Sequence, residues 1–106
     1  MHFISLKIPD VIQIIHPRHH DERGDFMELF RHGIFTRRCG DFCFVQDNLS
    51  RSRQGTLRGL HYQREKPQGK LIQVMAGTIF DVAVDLRAGS PTHGQWVGLS
   101  LSAEEG

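Results

Sequence analysis

The run Lys70-Leu71-Ile72-Gln73-Val74-Met75-Ala76-Gly77-Thr78-Ile79-Phe80-Asp81-Val82-Ala83-Val84-Asp85-Leu86 holds two apolar, β-branched stretches divided by a single glycine. Lys70 to Ala76 and Thr78 to Leu86 read as the two strongest strands of the chain, and Gly77 as the tight turn of a hairpin between them. Val11 to Ile15 is a further β-branched run, stopped by Pro17. Phe26 to Phe30 alternates, with Phe26, Glu28 and Phe30 on one face and Met27 and Leu29 on the other. Asp41 to Gln46 and Thr56 to Gln63 read as two more strands, joined by the polar stretch Asp47 to Gly55, and Gln95 to Leu101 as a last one. Ala88-Gly89-Ser90-Pro91 reads as a loop, and His32 to Arg38 as a helix of about two turns. Short strands separated by turn signals predict an all-β fold, a sandwich or barrel.

A chain of 106 residues predicts one domain, residues 1–106, with a core of modest size. An apolar content of 39% and a charged content of 24% fit a globular protein. No apolar run approaches the ~20 residues that span a bilayer, and Phe3 to Ile8 is too short and polar for a signal peptide. These features predict a cytoplasmic protein without a membrane partner. The net charge of +1 hides a gradient: residues 31–70 carry nine basic and three acidic side chains, a net of +6. That segment is where an anionic ligand is drawn, unless it is simply a solvated basic face. No aromatic platform is interleaved with its cations, which argues against nucleic acid. Cys39 and Cys43 form a CxxxC pair without further ligands at zinc spacing. Cys43, inside Phe42 to Val45, reads as a buried thiol, and two free thiols suit a reducing compartment.

Thr56-Leu57-Arg58-Gly59-Leu60-His61-Tyr62-Gln63 carries the most chemistry. On a strand, Leu57, Gly59, His61 and Gln63 share one face and Thr56, Arg58, Leu60 and Tyr62 the other. Gly59 leaves room beside His61. An imidazole there moves a proton near neutral pH, and Arg58 offers a two-pronged contact to a phosphate or carboxylate. A bulge, or a ligand reaching around the strand edge, is needed to join the two. The alternatives are a packed or surface histidine and a solvated arginine.

Other motifs stand on either side. Asp21-Glu22-Arg23-Gly24-Asp25-Phe26-Met27-Glu28 and Phe44-Val45-Gln46-Asp47-Asn48-Leu49-Ser50-Arg51-Ser52 precede the octapeptide. Gly69-Lys70-Leu71-Ile72-Gln73-Val74, Gly77 to Arg87 and Gly89-Ser90-Pro91-Thr92 follow it. In order and spacing, from about Val11 to Ala103, the chain resembles the dTDP-4-dehydrorhamnose 3,5-epimerase family. The resemblance implies a cupin-like jelly roll, a β-sandwich that this chain leaves incomplete at its C-terminal end. It implies inversion of two carbons flanking the ketone of a dTDP-4-keto-6-deoxy sugar, without cofactor or metal, in dTDP-rhamnose biosynthesis. His61 matches the family's catalytic base, and Lys70 matches a residue near the sugar carbonyl, where an ammonium stabilises an enolate. Arg58 matches a substrate-binding arginine near the sugar or its diphosphate. Gln46 and Asn48 match a Gln-x-Asn substrate contact. Arg23 and Glu28 match residues that bind the nucleotide, and Phe26 beside them stacks on the thymine. In the family these come from an N-terminal segment exchanged with a neighbouring subunit, so a homodimer is expected.

The family's proton donor is a tyrosine in the C-terminal part. The chain's single tyrosine, Tyr62, does not match that position, and the aspartate that pairs with the base is C-terminal as well. Asp81 and Asp85 are expected to be structural or to orient a histidine. Gln63 stands where metal-binding cupins carry the second histidine of a His-x-His pair, which leaves no metal site there. His16, His19 and His20 read as a solvated loop, and Arg23-Gly24-Asp25 as a chance tripeptide. Two readings stay open: an epimerase of which this chain is the N-terminal portion or a truncated copy, and a non-catalytic remnant that keeps the β scaffold and binds a nucleotide-sugar.

Overall fold

The computed structural model describes residues 1–65 and 68–104. It holds three separate two-stranded antiparallel sheets and one helix. In the first sheet β1 (His2–Ser5) pairs with β2 (Ile12–Ile15), with His2 opposite Ile15 and Ser5 opposite Ile12. The turn between them closes through Leu6 N–H donating to Val11 O and Val11 N–H donating to Ile8 O, both 2.9 Å. Ile8, at that turn, is buried. In the second sheet β3 (Arg18–Asp21) pairs with β4 (Gly24–Met27) across the two-residue turn Glu22-Arg23. The Asp21 carboxylate fixes this turn by accepting the Arg23 backbone N–H at 2.8 Å, the local bond that makes aspartate a turn residue. Gly24 has φ 142°, a value that favours glycine.

Helix α1 (His32–Cys39) runs where a helix was expected. It is anchored by its one buried side chain, Phe35, whose ring meets Phe30 at 5.6 Å and Phe44 at 5.2 Å between centroids. The Phe35–Phe44 contact is edge-to-face, a geometry that adds to simple burial. Gly40, φ 117°, ends the helix, and its N–H donates to Thr36 O at 3.2 Å.

The third sheet is the longest. In it β5 (Thr78–Val84) pairs with β6 (Trp96–Ser102) over seven residues each, from Thr78 opposite Ser102 to Val84 opposite Trp96. The Phe80 ring lies over Gly98, in the space a Cβ would fill, an aromatic covering a strand glycine diagonally across the ladder. The connection from Asp85 to Gln95 is a wound loop held by Asp85 N–H to Gln95 O at 2.9 Å and Gly94 N–H to Asp85 O at 2.7 Å.

Several expectations are corrected here. Gly77 does sit in a turn, with φ 83°, but β5 pairs with β6 and not with Lys70–Ala76. Asp41–Gln46, Thr56–Gln63 and Lys70–Ala76 form no strand among the described residues, and the Phe26–Phe30 strand is shifted to Gly24–Met27. A strand exists only where a ladder partner satisfies its backbone, and no partner meets these runs among the described residues. The face alternation expected at Leu57, Gly59, His61 and Gln63 therefore has no sheet to refer to. Cys43 is exposed, not buried. From residue 45 to residue 73 every described residue is exposed. The radius of gyration, 15.3 Å, exceeds the ~13 Å of a compact chain this long, as expected when the sheets do not close on a shared core. Among the described residues, no helix is long and apolar enough to cross a membrane.

Candidate functional site

The candidate residues fall on two parts of the chain. Arg23, Phe26 and Glu28 belong to the β3–β4 hairpin and its exit; Gln46, Asn48, Arg58, His61 and Lys70 belong to the exposed segment before β5.

On the hairpin, Arg23 occupies the turn and bonds to Asp21 from Nε at 3.1 Å and from Nη2 at 2.6 Å. These side-chain bonds, with the backbone bond, hold the Asp21 carboxyl below its usual range. Phe26 lies 69% exposed, directly opposite His19 in the ladder. A large ring left this open is free to stack on a flat ligand. Glu28, just past β4, forms an ion pair with Arg31 at 2.7 Å.

In the exposed segment, Gln46 Nε2 donates to Asn48 Oδ1 at 3.4 Å, so the Gln-x-Asn pair is brought together. Arg58 Nε donates to Ser52 Oγ at 2.9 Å. That bond uses Nε, and among the described residues the two terminal nitrogens, which make the two-pronged contact to an anion, have no side-chain partner. Gly59 (φ 121°) follows, and nothing lies within 4 Å of the position a Cβ would take; without a strand, that open space is not placed beside His61. Among the described residues, no hydrogen bond or ion pair ties His61 or Lys70 to each other or to Arg58, or joins any of the three to the hairpin.

The electrostatics favour an anion. Of the cations at 31–70 that lie among the described residues, only Arg31 is ion-paired. Arg51, Arg53, Arg58, Arg64 and Lys70 stand without a carboxylate partner there. Two depressions in the surface lie elsewhere, one bounded by Leu6, Lys7, Trp96 and Leu99, the other by Asp10, Arg87 and Ser90. None of the candidate residues borders either of these two depressions. Among the described residues no group of three or more His, Cys, Asp and Glu is placed to hold a metal ion, the histidines at 16, 19 and 20 included.

Asp85 proves structural. Its buried carboxylate accepts from Arg87 N and Nε at 3.0 Å, Arg87 Nη2 at 3.0 Å, Ser90 Oγ at 2.6 Å and Thr92 Oγ1 at 2.5 Å. Arg18 was not singled out from the sequence. It donates to Asp25 Oδ2 at 2.5 Å and to Ala103 O at 2.6 Å, tying the hairpin to the end of β6. Its neighbours in sequence are polar and aperiodic, so no local pattern marks it.

The model of the family described as dTDP-4-dehydrorhamnose 3,5-epimerase matches residues 5–106. Curated proteins of that name from Pseudomonas aeruginosa and Methanothermobacter thermautotrophicus are 57% and 54% identical over 101 and 102 residues, covering 93% and 96% of this chain and 55% of each relative. The Neisseria gonorrhoeae protein is 52% identical, over 98% of this chain and 32% of its own length. Among solved structures, the Legionella pneumophila epimerase in complex with dTDP-4-keto-L-rhamnose superposes with a TM-score of 0.94 at 50% identity, covering 98% of this chain and 56% of that one. The Bacillus anthracis enzyme, with TDP and PPi bound, gives 0.91 at 42% identity, covering 98% and 61%. The chain thus spans between a third and three fifths of the length of these relatives. Its strands are part of the cupin-like jelly roll those structures share, which accounts for sheets that stand two-stranded and open here. Sequence identity near one half over nearly the whole chain, with the backbone superposed, makes this chain a member of the dTDP-4-dehydrorhamnose 3,5-epimerase family.

Proposed function

We propose that this chain supplies the base, the enolate-stabilising cation and the substrate anchors of a 3,5-epimerase acting on a dTDP-linked 4-keto-6-deoxy sugar. The observation that carries the reading is the family match over residues 5–106, which spans all eight candidate residues. His61 takes the proton from a carbon beside the ketone, and the electron pair moves onto the carbonyl oxygen. Lys70 opposes the charge that develops there. Return of a proton from the opposite face inverts the carbon. The reaction moves protons and an electron pair within the sugar, so it calls for no redox cofactor. Arg58 holds the diphosphate or the sugar, with Gln46 and Asn48 beside it. Arg23, Phe26 and Glu28 hold the nucleoside. The unpaired cations of the central segment support an anionic ligand, and the two free thiols suit a reducing, cytoplasmic setting.

Replacing Arg58 by alanine is expected to weaken dTDP binding by roughly 1–3 kcal/mol, the range for losing a charge-assisted contact. Isothermal calorimetry on the two proteins checks this, and equal affinities would remove Arg58 from the site.

A second reading is a scaffold that binds the nucleotide-sugar without turning it over. Tyr62 is 69% exposed and matches no family acid. Binding without hydrogen exchange at the sugar would establish that reading.

The chain is also proposed to form a homodimer through an exchanged N-terminal segment. Leu71, Ile72, Met75, Ile79, Phe80 and Trp96 are 41–64% exposed. Open apolar surface and unpaired edges of this kind are covered by association. Light scattering at micromolar concentration is expected to give at least twice the chain mass. A well-folded monomer would count against it.

A further inference from the structure

We infer that Ser52 is a positioning residue that holds the Arg58 guanidinium end-on to an anionic ligand, and so sets the side from which a diphosphate is grasped. The inference rests on the assignment of Arg58 to the sugar or its diphosphate.

The stretch Ser52-Arg53-Gln54-Gly55-Thr56-Leu57-Arg58 doubles back on itself. Thr56 N–H donates to Arg53 O at 3.2 Å, the bond that closes a four-residue turn. Gly55 stands third in that turn with φ 84°, the left-handed value that a type II turn requires there and that glycine supplies without strain. The reversal brings residues on its two sides together. Ser52 Oγ thus accepts from Arg58 Nε at 2.9 Å, although the two lie six positions apart. Arg51 and Arg53 are nearer to Ser52 in sequence, yet among the described residues no side-chain hydrogen bond holds either guanidinium. The turn, not proximity along the chain, pairs the hydroxyl with Arg58.

A guanidinium has two kinds of edge that fit an oxyanion: the side edge, Nε with one terminal nitrogen, and the end edge, the two terminal nitrogens. The Ser52 hydroxyl takes up Nε and closes the side edge. The two-pronged contact is then made from the end, with the guanidinium held before the ligand arrives. Both residues are exposed, so their bond adds little to the stability of the fold. Its effect falls on binding. A long side chain that its ligand must order costs affinity, and one held beforehand costs less. Without the hydroxyl, Nε is open again and the arginine stem is free to turn.

The test titrates dTDP by calorimetry into the chain and its Ser52→Ala, Ser52→Thr, Arg58→Ala and Ser52→Ala/Arg58→Ala variants. Ser52→Ala is expected to weaken binding about fivefold, the cost of ordering one long side chain. Ser52→Thr keeps the hydroxyl and is expected to bind within about twofold of the unaltered chain. In the Arg58→Ala background, Ser52→Ala is expected to change the affinity by less than about twofold, because the group it positions is gone. The melting temperature of Ser52→Ala is expected to stay within about 2 °C of the unaltered chain, and a larger fall would make Ser52 a structural residue instead. A loss of affinity that persists undiminished in the Arg58→Ala background would show that Ser52 acts on the ligand or the loop by itself, and the positioning role would be wrong. The same follows if Ser52→Thr binds as weakly as Ser52→Ala. Unchanged affinity in Ser52→Ala, beside a loss in Arg58→Ala, would overturn the inference and leave Arg58 in the site. If Arg58→Ala binds dTDP as well as the unaltered chain, the assignment of Arg58 fails and the inference fails with it.

Discussion

Alanine in place of His61 is expected to slow hydrogen exchange at the carbons flanking the ketone by about 10²-fold or more, with dTDP affinity changed by less than about threefold. The asymmetry follows from the proposed role. A general base acts on the proton in flight, so its contribution appears in the transition state and hardly at all in the bound ground state. The structure leaves the imidazole uncommitted: among the described residues no hydrogen bond ties it to another group. Proton NMR of a dTDP-4-keto-6-deoxy sugar in deuterated water reads the exchange directly. The 106-residue chain is expected to exchange the α hydrogens slowly and to give no complete epimerisation, since none of its residues matches the proton donor for the far face. Exchange that persists unchanged in His61→Ala would take the base role away from His61. Fully inverted product from the unaltered chain would assign the acid to Tyr62 or to another group of this chain.

What the sequence could and could not disclose follows from how far each signal reaches. The helix at His32–Cys39 and the existence of β5 and β6 were legible because they depend on local pattern, although β5 stops at Val84 and not Leu86, and β6 runs one residue later than Gln95 to Leu101. The runs at 41–46, 56–63 and 70–76 have equally good strand composition and form no strand, because pairing is a property of two segments and composition belongs to one. One strand, β3, went unseen for the opposite reason. Arg18-His19-His20-Asp21 has no apolar residue, and its place in a ladder comes from the Asp21–Arg23 turn bond, not from periodicity. The candidate residues were legible as motifs, but their grouping was not. Gln46 and Asn48 meet because they are two residues apart, while nothing local in the sequence says that Arg18 reaches Ala103.

Removing the Asp85 carboxylate is expected to cost more stability than any other single change at a polar residue here. Asp85 is the buried charged residue of the described chain, 5% exposed, and its oxygens collect the Arg87 guanidinium, the Arg87 N–H and the hydroxyls of Ser90 and Thr92. Together these shape the loop that lets β6 return beside β5. Arg87 reaches on to Asp10 at 2.6 Å, so the β1–β2 turn is tied to the same centre. Asp85→Ala leaves the Ser90 and Thr92 hydroxyls without their carboxylate acceptor and the Arg87 guanidinium with Asp10 as its only carboxylate. A melting temperature lower by about 10 °C or more is expected for a domain of this size, with Asp85→Asn between the two. The pH dependence has a definite sign. Arg87 first, then Ser90 and Thr92, hold the Asp85 carboxyl far below the ordinary carboxylate range. A group whose pKa is depressed on folding stabilises fully above its unfolded pKa of about 4 and loses that contribution as pH falls toward the folded value. The gap in melting temperature between the unaltered chain and Asp85→Asn should therefore be flat from about pH 5 to 8 and shrink below about pH 4. Asp21 and Asp25, also depressed, act in the same direction in both proteins, so the difference between the two isolates Asp85. A gap that widened in acid would show that the loop is held by something other than the ionised carboxylate.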